Sequence, residues 1–332
     1  MKTELLRINP EDPDEYAVRK AASVIRSGGL VAFPTETVYG LGANALDPKA
    51  VRAIFAAKGR PVDNPLIVHV HEPGKADLLG VVDERSRKLM VLFWPGPLTL
   101  VIAAGPGVPS EVTGGLETVA VRMPDHPVAL ALIRESGVPL AGPSANRSGR
   151  PSPTTAEDVL EDLDGRIEMI LDAGPADVGV ESTVLDVTRD VPVLLRPGGI
   201  SIESIREAVG DVVPSPDRKE AGRSPGTRYR HYAPSIPVVL LDHDGAWKND
   251  PRLGGVFAGV AYVGISPAPV DVVAQVRFGS VKQYAGGLFS ALRAMERSGA
   301  EVILAELPPE EGVGLAVRDR LRRAAGDRGR ES

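Results

Sequence analysis

One interruption bounds what this chain can fold into: from Asp211 to Pro237 neither a helical nor a strand repeat can be traced, and Pro, Gly, Ser and charge take over. On both sides of it, short apolar runs alternate with amphipathic stretches, the pattern of packed α/β layers. At 332 residues the chain is also long for a single core, so two bodies joined by a linker are expected. Before the break, "LVAF", "PLIVHV", "LTLVIA", "TVAVRM", "EMILDA", "STVLDV" and "PVLLR" read as strands. Asp12 and Pro13 read as the cap and first residue of a helix closed by Gly28. Asp47, Pro48 and Gly59 bracket a second helix with Val51, Ile54 and Phe55 on its buried face, and others are predicted near 84–93, 127–135, 155–163 and 202–209. After the break, "IPVVLLD", "GVAYVGI" and "AEVILAEL" read as strands, with helices over 281–298 and 314–325 and a small Rossmann-like α/β layer as the result. The boundaries this sets are 1–212 for a mixed α/β domain, 213–236 for the linker and 237–332 for the second domain.

The linker is not bland. "SPGTRYRHYAP" (224–234) packs two arginines, two tyrosines and a histidine into five consecutive positions. The whole chain carries a net charge of −6, which argues against a general nucleic-acid coat protein, yet Asp217 to His231 holds five basic residues against two acidic. With no cysteine there are no disulfides, thiol nucleophiles or thiolate zinc sites, which suits a reducing cytoplasm. The first 25 residues lack the apolar core of a signal peptide, and no apolar run approaches ~20 residues, so no membrane association is expected.

Four clusters place Gly, Pro, Ser or Asn beside a cation in turns next to strands: "PTETVYGLGANA" (34–45), "KGRPVDNPLIVHVH" (58–71), "AGPSANRSGRPSPT" (141–154) and "LLRPGG" (194–199). Exposed backbone N–H groups with Lys or Arg nearby make anion-binding nests, so a polyphosphate or carboxylate ligand is expected. Each cluster has a plainer reading. Lys58 could serve only the dipole of its helix C-terminus, and Ser144 and Asn146 could be ordinary turn residues. His69 and His71, two apart on one strand, share a face but lack a third metal ligand; one is expected at a ligand and the other in solvent. "GLGANA" fits the glycine spacing of a dinucleotide fingerprint but has Arg60 where the ribose-binding acid should be, and no Walker loop is present.

Taken in order, "PTETVYGLGANA", "KGRPVDNPLIVHV", "WPGPLTLV", "VAVRMPDHP", "PLAGPSANRSGRPSPT", "ESTVLDV", "LLRPGGI" and "SPGTRYRHYAP" resemble the threonylcarbamoyl-AMP synthase family in its long, two-domain form. The match covers nearly all of residues 15 to 237; beyond it only position and α/β pattern agree. The resemblance implies a YrdC-like twisted mixed-sheet catalytic domain with surrounding helices, and a smaller Rossmann-like second domain. It implies that L-threonine, bicarbonate or CO₂ and ATP yield threonylcarbamoyl-adenylate and pyrophosphate, with Mg²⁺ expected alongside ATP. A downstream complex would transfer the group to tRNA, and a weak contact with tRNA itself is compatible with this.

By the same resemblance, Lys58, Arg60, Ser144 and Asn146 form a catalytic K-x-R with S-x-N signature. Arg60, Asn64, Thr118, Ser144, Ser152, Arg196 and Tyr232 match ATP-contacting positions, and Thr37, His69, Arg122, Gly142 and Ser182 match positions around threonine. Gly142 stands where the family often has alanine, and Thr227-Arg228 stands for its commoner Met-Lys. No metal ligand is assigned. The linker is expected to fold back, with Arg230, His231 and Tyr232 closing the cavity against water. The rival readings are an RNA-binding module of the same fold without turnover, a nicotinamide oxidoreductase resting on "GLGANA", and a regulatory relative that senses nucleotide.

Overall fold

Near-continuous apolar runs become the inner strands of a large sheet. In the computed structural model, residues 2–215, 232–241, 246–250 and 259–326 are described. The strands of the first domain are β1 (Glu4–Arg7), β2 (Val31–Phe33), β3 (Gly40–Asn44), β4 (Ile67–His69), β5 (Gly80–Val81) and β6 (Leu98–Ala104). They continue with β7 (Thr118–Arg122), β8 (Leu140–Ala141), β9 (Met169–Asp172), β10 (Thr183–Asp186), β11 (Val193–Arg196) and β12 (Val213–Pro214). Their order is β1-β9-β2-β3-β8-β4-β7-β6-β10-β11-β12, with β5 on β6, and parallel and antiparallel pairs are mixed.

Helices cover both faces of this sheet: α1 (Glu15–Arg26), α2 (Pro48–Lys58), α3 (Glu84–Phe93), α4 (Ser110–Thr113), α5 (Pro127–Ser136), α6 (Ala156–Leu163) and α7 (Ile202–Val209). Successive side chains of a strand point to opposite faces, so β2 sends Val31 and Phe33 into a core with Ile25 of α1 and Leu132 of α5. Ala32 enters a second core with Ile54 and Phe55 of α2 and Val159 of α6. Strand β7, buried at every position, reads as apolar for that reason.

The second domain has four parallel strands, β13 (Val238–Leu241), β14 (Val260–Gly264), β15 (Ala274–Arg277) and β16 (Val302–Glu306), in the order β13-β16-β14-β15. Among its described residues are also the helices α8 (Val281–Arg297) and α9 (Gly314–Ala324). Its core does not stop at its own border. Phe289, Leu292 and Leu321 pack in one cluster with Val38, Val180 and Tyr232. Arg293 of α8, fully buried, reaches Asp162 at 2.7 Å and the carbonyl of Pro151 at 2.7 Å, and Arg150 reaches Glu296.

The structure corrects several sequence expectations. Helix α1 is capped by Asp14, whose carboxylate accepts from the Ala17 N–H at 2.8 Å; Asp12 and Pro13 lie before it. "GLGAN" is a strand, not a turn: a Cβ on Gly40 or Gly42 would come within 3.0 or 2.9 Å of the Phe33 ring, so these glycines admit an aromatic side chain rather than a pyrophosphate. Strand β4 ends at His69, so His71 does not share its face. Strands β1, β3, β5, β8, β12 and β15 have no counterpart in the sequence reading.

Candidate active site

The cavity sits where parallel strands end. Strands β4 and β7 run side by side with His69 in register with Arg122, so both side chains emerge at one edge of the sheet. The loop between β2 and β3 brings Thr35, Thr37 and Val38 to them, and the turn after α2 brings Arg60. Gly142, Pro143 and Ser144 follow β8, and an isolated bridge pairs Gly40 with Ser144. Glu181 and Ser182 enter just before β10, and Arg196 closes β11. Tyr232 comes from the linker and completes the wall. About 490 Å³ of empty space, partly open to solvent, lies between these groups.

Of the residues singled out from sequence, Thr37, Arg60, His69, Arg122, Gly142, Ser144, Ser182, Arg196 and Tyr232 line this one cavity. Lys58, Asn64, Thr118, Asn146 and Ser152 do not, although all five are buried. Arg230 and His231 lie outside the described residues. Glu181, Thr35 and Val38 line the cavity and were not anticipated. Within "ESTVLDV" the resemblance assigns a site role to Ser182 and none to Glu181.

Lys58 has a task that a helix-end cation does not explain. Its ammonium donates to the carbonyls of Ser144 and Asn146, tying α2 to the turn after β8. Burial, and then the charge of Arg60, push the Lys58 pKa well down. Asn146 locks the same turn, accepting from Ser144 Oγ at 2.5 Å and donating to the carbonyls of Arg147 and Arg150 at 2.8 and 2.9 Å. Lys58 and Asn146 therefore set the backbone from which Ser144 faces the cavity.

Arg122 is held from three sides. Its Nε donates to the Gly96 carbonyl at 3.2 Å, Nη1 donates to Thr37 Oγ1 at 3.0 Å, and Nη2 pairs with Glu36 at 2.6 Å. Of the five N–H donors of a guanidinium, those on Nε and Nη1 make the hydrogen bonds, and Nη2 meets Glu36 as an ion pair without hydrogen-bond geometry, so both N–H groups of Nη2 are open to a ligand. His69 is buried, with Phe33 edge-on at a centroid distance of 5.7 Å. Burial, and then the charge of Arg122, push its pKa down to about 3, so the imidazole is neutral. Its Nδ1 is buried and lacks a hydrogen-bond partner within the protein.

On the opposite wall Arg196 donates to the Ser182 carbonyl at 2.9 Å and to Ser182 Oγ at 3.2 Å, while Thr99 bonds the same hydroxyl at 2.7 Å. Glu181 accepts from Ser152 at 2.5 Å. Burial raises its pKa, but Arg320 and Arg196 outweigh that and hold the carboxyl below its usual range. Among the described residues, Arg60, Arg122 and Arg196 thus face one small space against a single ionised carboxylate that lines it, an arrangement built for anionic ligands. Among the described residues no three His, Asp or Glu side chains gather as a metal cage. Nor is any described helix long and apolar enough to cross a membrane.

Comparison with known proteins agrees with this geometry along the whole chain. Residues 23–198 match the family described as Telomere recombination, and residues 200–326 the one described as Threonylcarbamoyl-AMP synthase, C-terminal domain. A threonylcarbamoyl-AMP synthase of Pyrococcus abyssi is 48% identical over 95% of this chain and 96% of its own length. One from Bacillus subtilis is 47% identical over 97% and 95%. A crystal structure of P. abyssi Sua5 complexed with L-threonine superimposes with a TM-score of 0.91 at 46% identity, covering 98% of both chains.

Proposed function

The chain belongs to the threonylcarbamoyl-AMP synthase family, and we propose that its cavity joins L-threonine, bicarbonate or CO₂ and ATP into threonylcarbamoyl-adenylate, releasing pyrophosphate. The observation that carries this reading is the convergence of Arg60, Arg122 and Arg196 with a neutral His69 and the Thr37, Ser144 and Ser182 hydroxyls on one cavity. The nitrogen of threonine attacks the carbon of CO₂, forming the N–C bond and losing a proton. With bicarbonate as the source, hydroxide leaves the carbon and takes up that proton, so one water is released in its place. A carbamate oxygen then attacks the α-phosphorus of ATP, and the bond to the β-phosphate oxygen breaks. Both steps collect negative charge in one place, so positioning and fixed donors supply the catalysis.

In this reading Arg122 takes the threonine carboxylate with the N–H groups of Nη2, and His69 Nδ1 and Thr37 meet the other polar groups of the amino acid. Gly142 leaves room beside His69, and Ser182 closes that subsite. Arg60, Ser144, Arg196 and Tyr232 face the nucleotide. Lys58, Asn146 and Ser152 act from behind the wall, and Asn64 and Thr118 hold the loop and strand that flank it. Mg²⁺ is proposed to enter as a companion of ATP. The carboxylates here are already engaged, Glu36 by Arg122 and Glu181 by Arg320 and Ser152, and the other polar groups are cations, hydroxyls and the neutral His69, which fits an ion that would come with the phosphates rather than one caged by protein. The ion neutralises phosphate charge when bound. The product is the first intermediate of threonylcarbamoyladenosine formation in tRNA, and we infer that a separate transfer complex consumes it in the cytoplasm. An RNA-binding module without turnover is disfavoured, because the arginines converge inside a small cavity instead of spreading over a surface. Incubation with labelled bicarbonate, ATP and threonine should yield labelled threonylcarbamoyl-adenylate by mass spectrometry. Absence of the labelled adduct would contradict the reading.

A further inference from the structure

One arginine of the second domain reaches the first domain's cavity wall. Arg320, on α9, has no solvent exposure. Its Nε donates to Glu181 Oε2 at 2.7 Å, its Nη2 to the Pro197 carbonyl at 3.0 Å and its Nη1 to Asp319 at 2.5 Å. The face of the guanidinium lies over the Tyr232 ring at 5.2 Å, and Phe289 of α8 stacks on Tyr232 at 5.3 Å. Glu181 and Tyr232 line the cavity themselves, and Pro197 follows directly on Arg196, which also lines it. One planar group therefore grips three separate pieces of wall, using edges and face together.

We propose that Arg320 is a positioning residue of the active site: from the second domain it fixes Glu181, the Arg196–Pro197 corner and Tyr232 relative to one another, and so shapes the nucleotide subsite. The proposal rests on the reading of that wall as the ATP side. The argument is one of connectivity. Glu181 spends its other oxygen on Ser152, its carbonyl accepts from the Gly199 N–H at 3.2 Å, and Arg196 is bonded to Ser182. The segments 181–182 and 196–199 thus hold each other locally. Arg320 ties both to Tyr232, which belongs to the linker. The threonine side of the cavity, Arg122 with Thr37 and His69, is braced separately by Gly96, Glu36 and Phe33, and meets the nucleotide side through Ser182, which Arg196 holds. The second domain is in this view part of the catalytic wall and more than an appended fold.

A buried interdomain arginine could also act through stability alone, so the test pairs it with Arg293. That residue is equally buried in the same interface but bonds Asp162 and the Pro151 carbonyl, outside the cavity lining. In the full chain, Arg320→Met, Arg320→Lys and Arg293→Met are titrated with a non-hydrolysable ATP analogue, and KM for ATP and for threonine is measured. Arg320→Met is expected to weaken analogue binding and raise KM for ATP about tenfold or more, with KM for threonine within about twofold. Arg320→Lys keeps the charge but not the fork, and is expected to fall between Met and wild type. Arg293→Met, though destabilised, should bind the analogue within about twofold of wild type. The proposal is overturned if the Arg320 variants also stay within that range, or if Arg293→Met weakens binding as much. Should Arg320→Met not fold, Arg320→Lys decides by the same threshold. The comparison of binding constants stands whether or not threonine-dependent turnover is found, so failure of the functional reading is scored separately; a wild type that fails to bind the analogue overturns both.

Discussion

Lys58 shows how little a residue's local setting says about its work. At the end of α2 it could be a dipole-complementing cation, worth under about 1 kcal/mol. Bonded instead to two carbonyls of the turn that presents Ser144, it should matter more. Lys58→Met leaves those carbonyls without their donor, and we expect a loss of about 1–3 kcal/mol in stability and about 100-fold in kcat/KM. A change in stability below 1 kcal/mol with activity intact would restore the plain reading. Gly142 offers a gentler probe. A Cβ there would sit 3.0 Å from His69 Nδ1, so Gly142→Ala should displace the imidazole slightly and raise KM for threonine about fivefold while leaving KM for ATP alone. Equal shifts in both constants would detach His69 from the threonine side.

The same histidine gives a pH dependence with a definite sign. Its folded pKa of about 3 lies below the ordinary 6.5, so beneath pH 6.5 the unfolded chain binds a proton that the native state refuses. Stability should therefore fall as pH drops from 6.5 toward 3, by at most about 1.4 kcal/mol per pH unit from this group. Urea denaturation of wild type and His69→Gln at pH 7, 6 and 5 checks it: the variant should lose less on acidification, and parallel curves would refute the buried neutral imidazole.

At the scale of elements, legibility follows how local the cause is. Helix α2 is written in its own residues, since Asp47 caps it, Pro48 starts it and Gly59 ends it in a left-handed conformation, as the sequence predicts. Helix α1 has two aspartates flanking Pro13, and only the reach of Asp14 to the Ala17 N–H settles which one caps it. Strands β3 and β8 are short or glycine-bearing, and their pairing is decided by sheet neighbours distant in sequence. The interface helices carry the same lesson. Within "RDRLRRA" nothing local distinguishes the buried Arg320 from the half-exposed Arg322. Arg293 likewise looked like one more polar position of an amphipathic helix. Because Arg293→Met takes one of two cations from Asp162, which keeps Arg150 at 3.0 Å, and leaves the Pro151 carbonyl without its donor, it should cost about 1–3 kcal/mol in thermal or urea unfolding. A cost below about 1 kcal/mol would mean that the contact between the domains is loose.

For the molecule as a whole, the cavity lies where distant turns of one domain meet a residue of the linker and a brace from the second domain. Nine of the residues matched by resemblance share that space because β4, β7 and β11 deliver three of them where the turns after α2 and β8, the β2–β3 loop, the entry to β10 and the linker bring the others, an outcome fixed by topology more than by any single motif. The sequence marked the cations and hydroxyls, whose chemistry is visible in residue type. It did not mark Glu181 or Arg320, whose roles exist only through each other. The central claim is that this cavity holds an amino acid and a nucleoside triphosphate within reacting distance and selects threonine. Pyrophosphate release from ATP and bicarbonate, measured with each standard amino acid in turn, tests it most directly. The account predicts release that depends on threonine and is weak with the rest; equal release with every amino acid, or none with threonine, would contradict it.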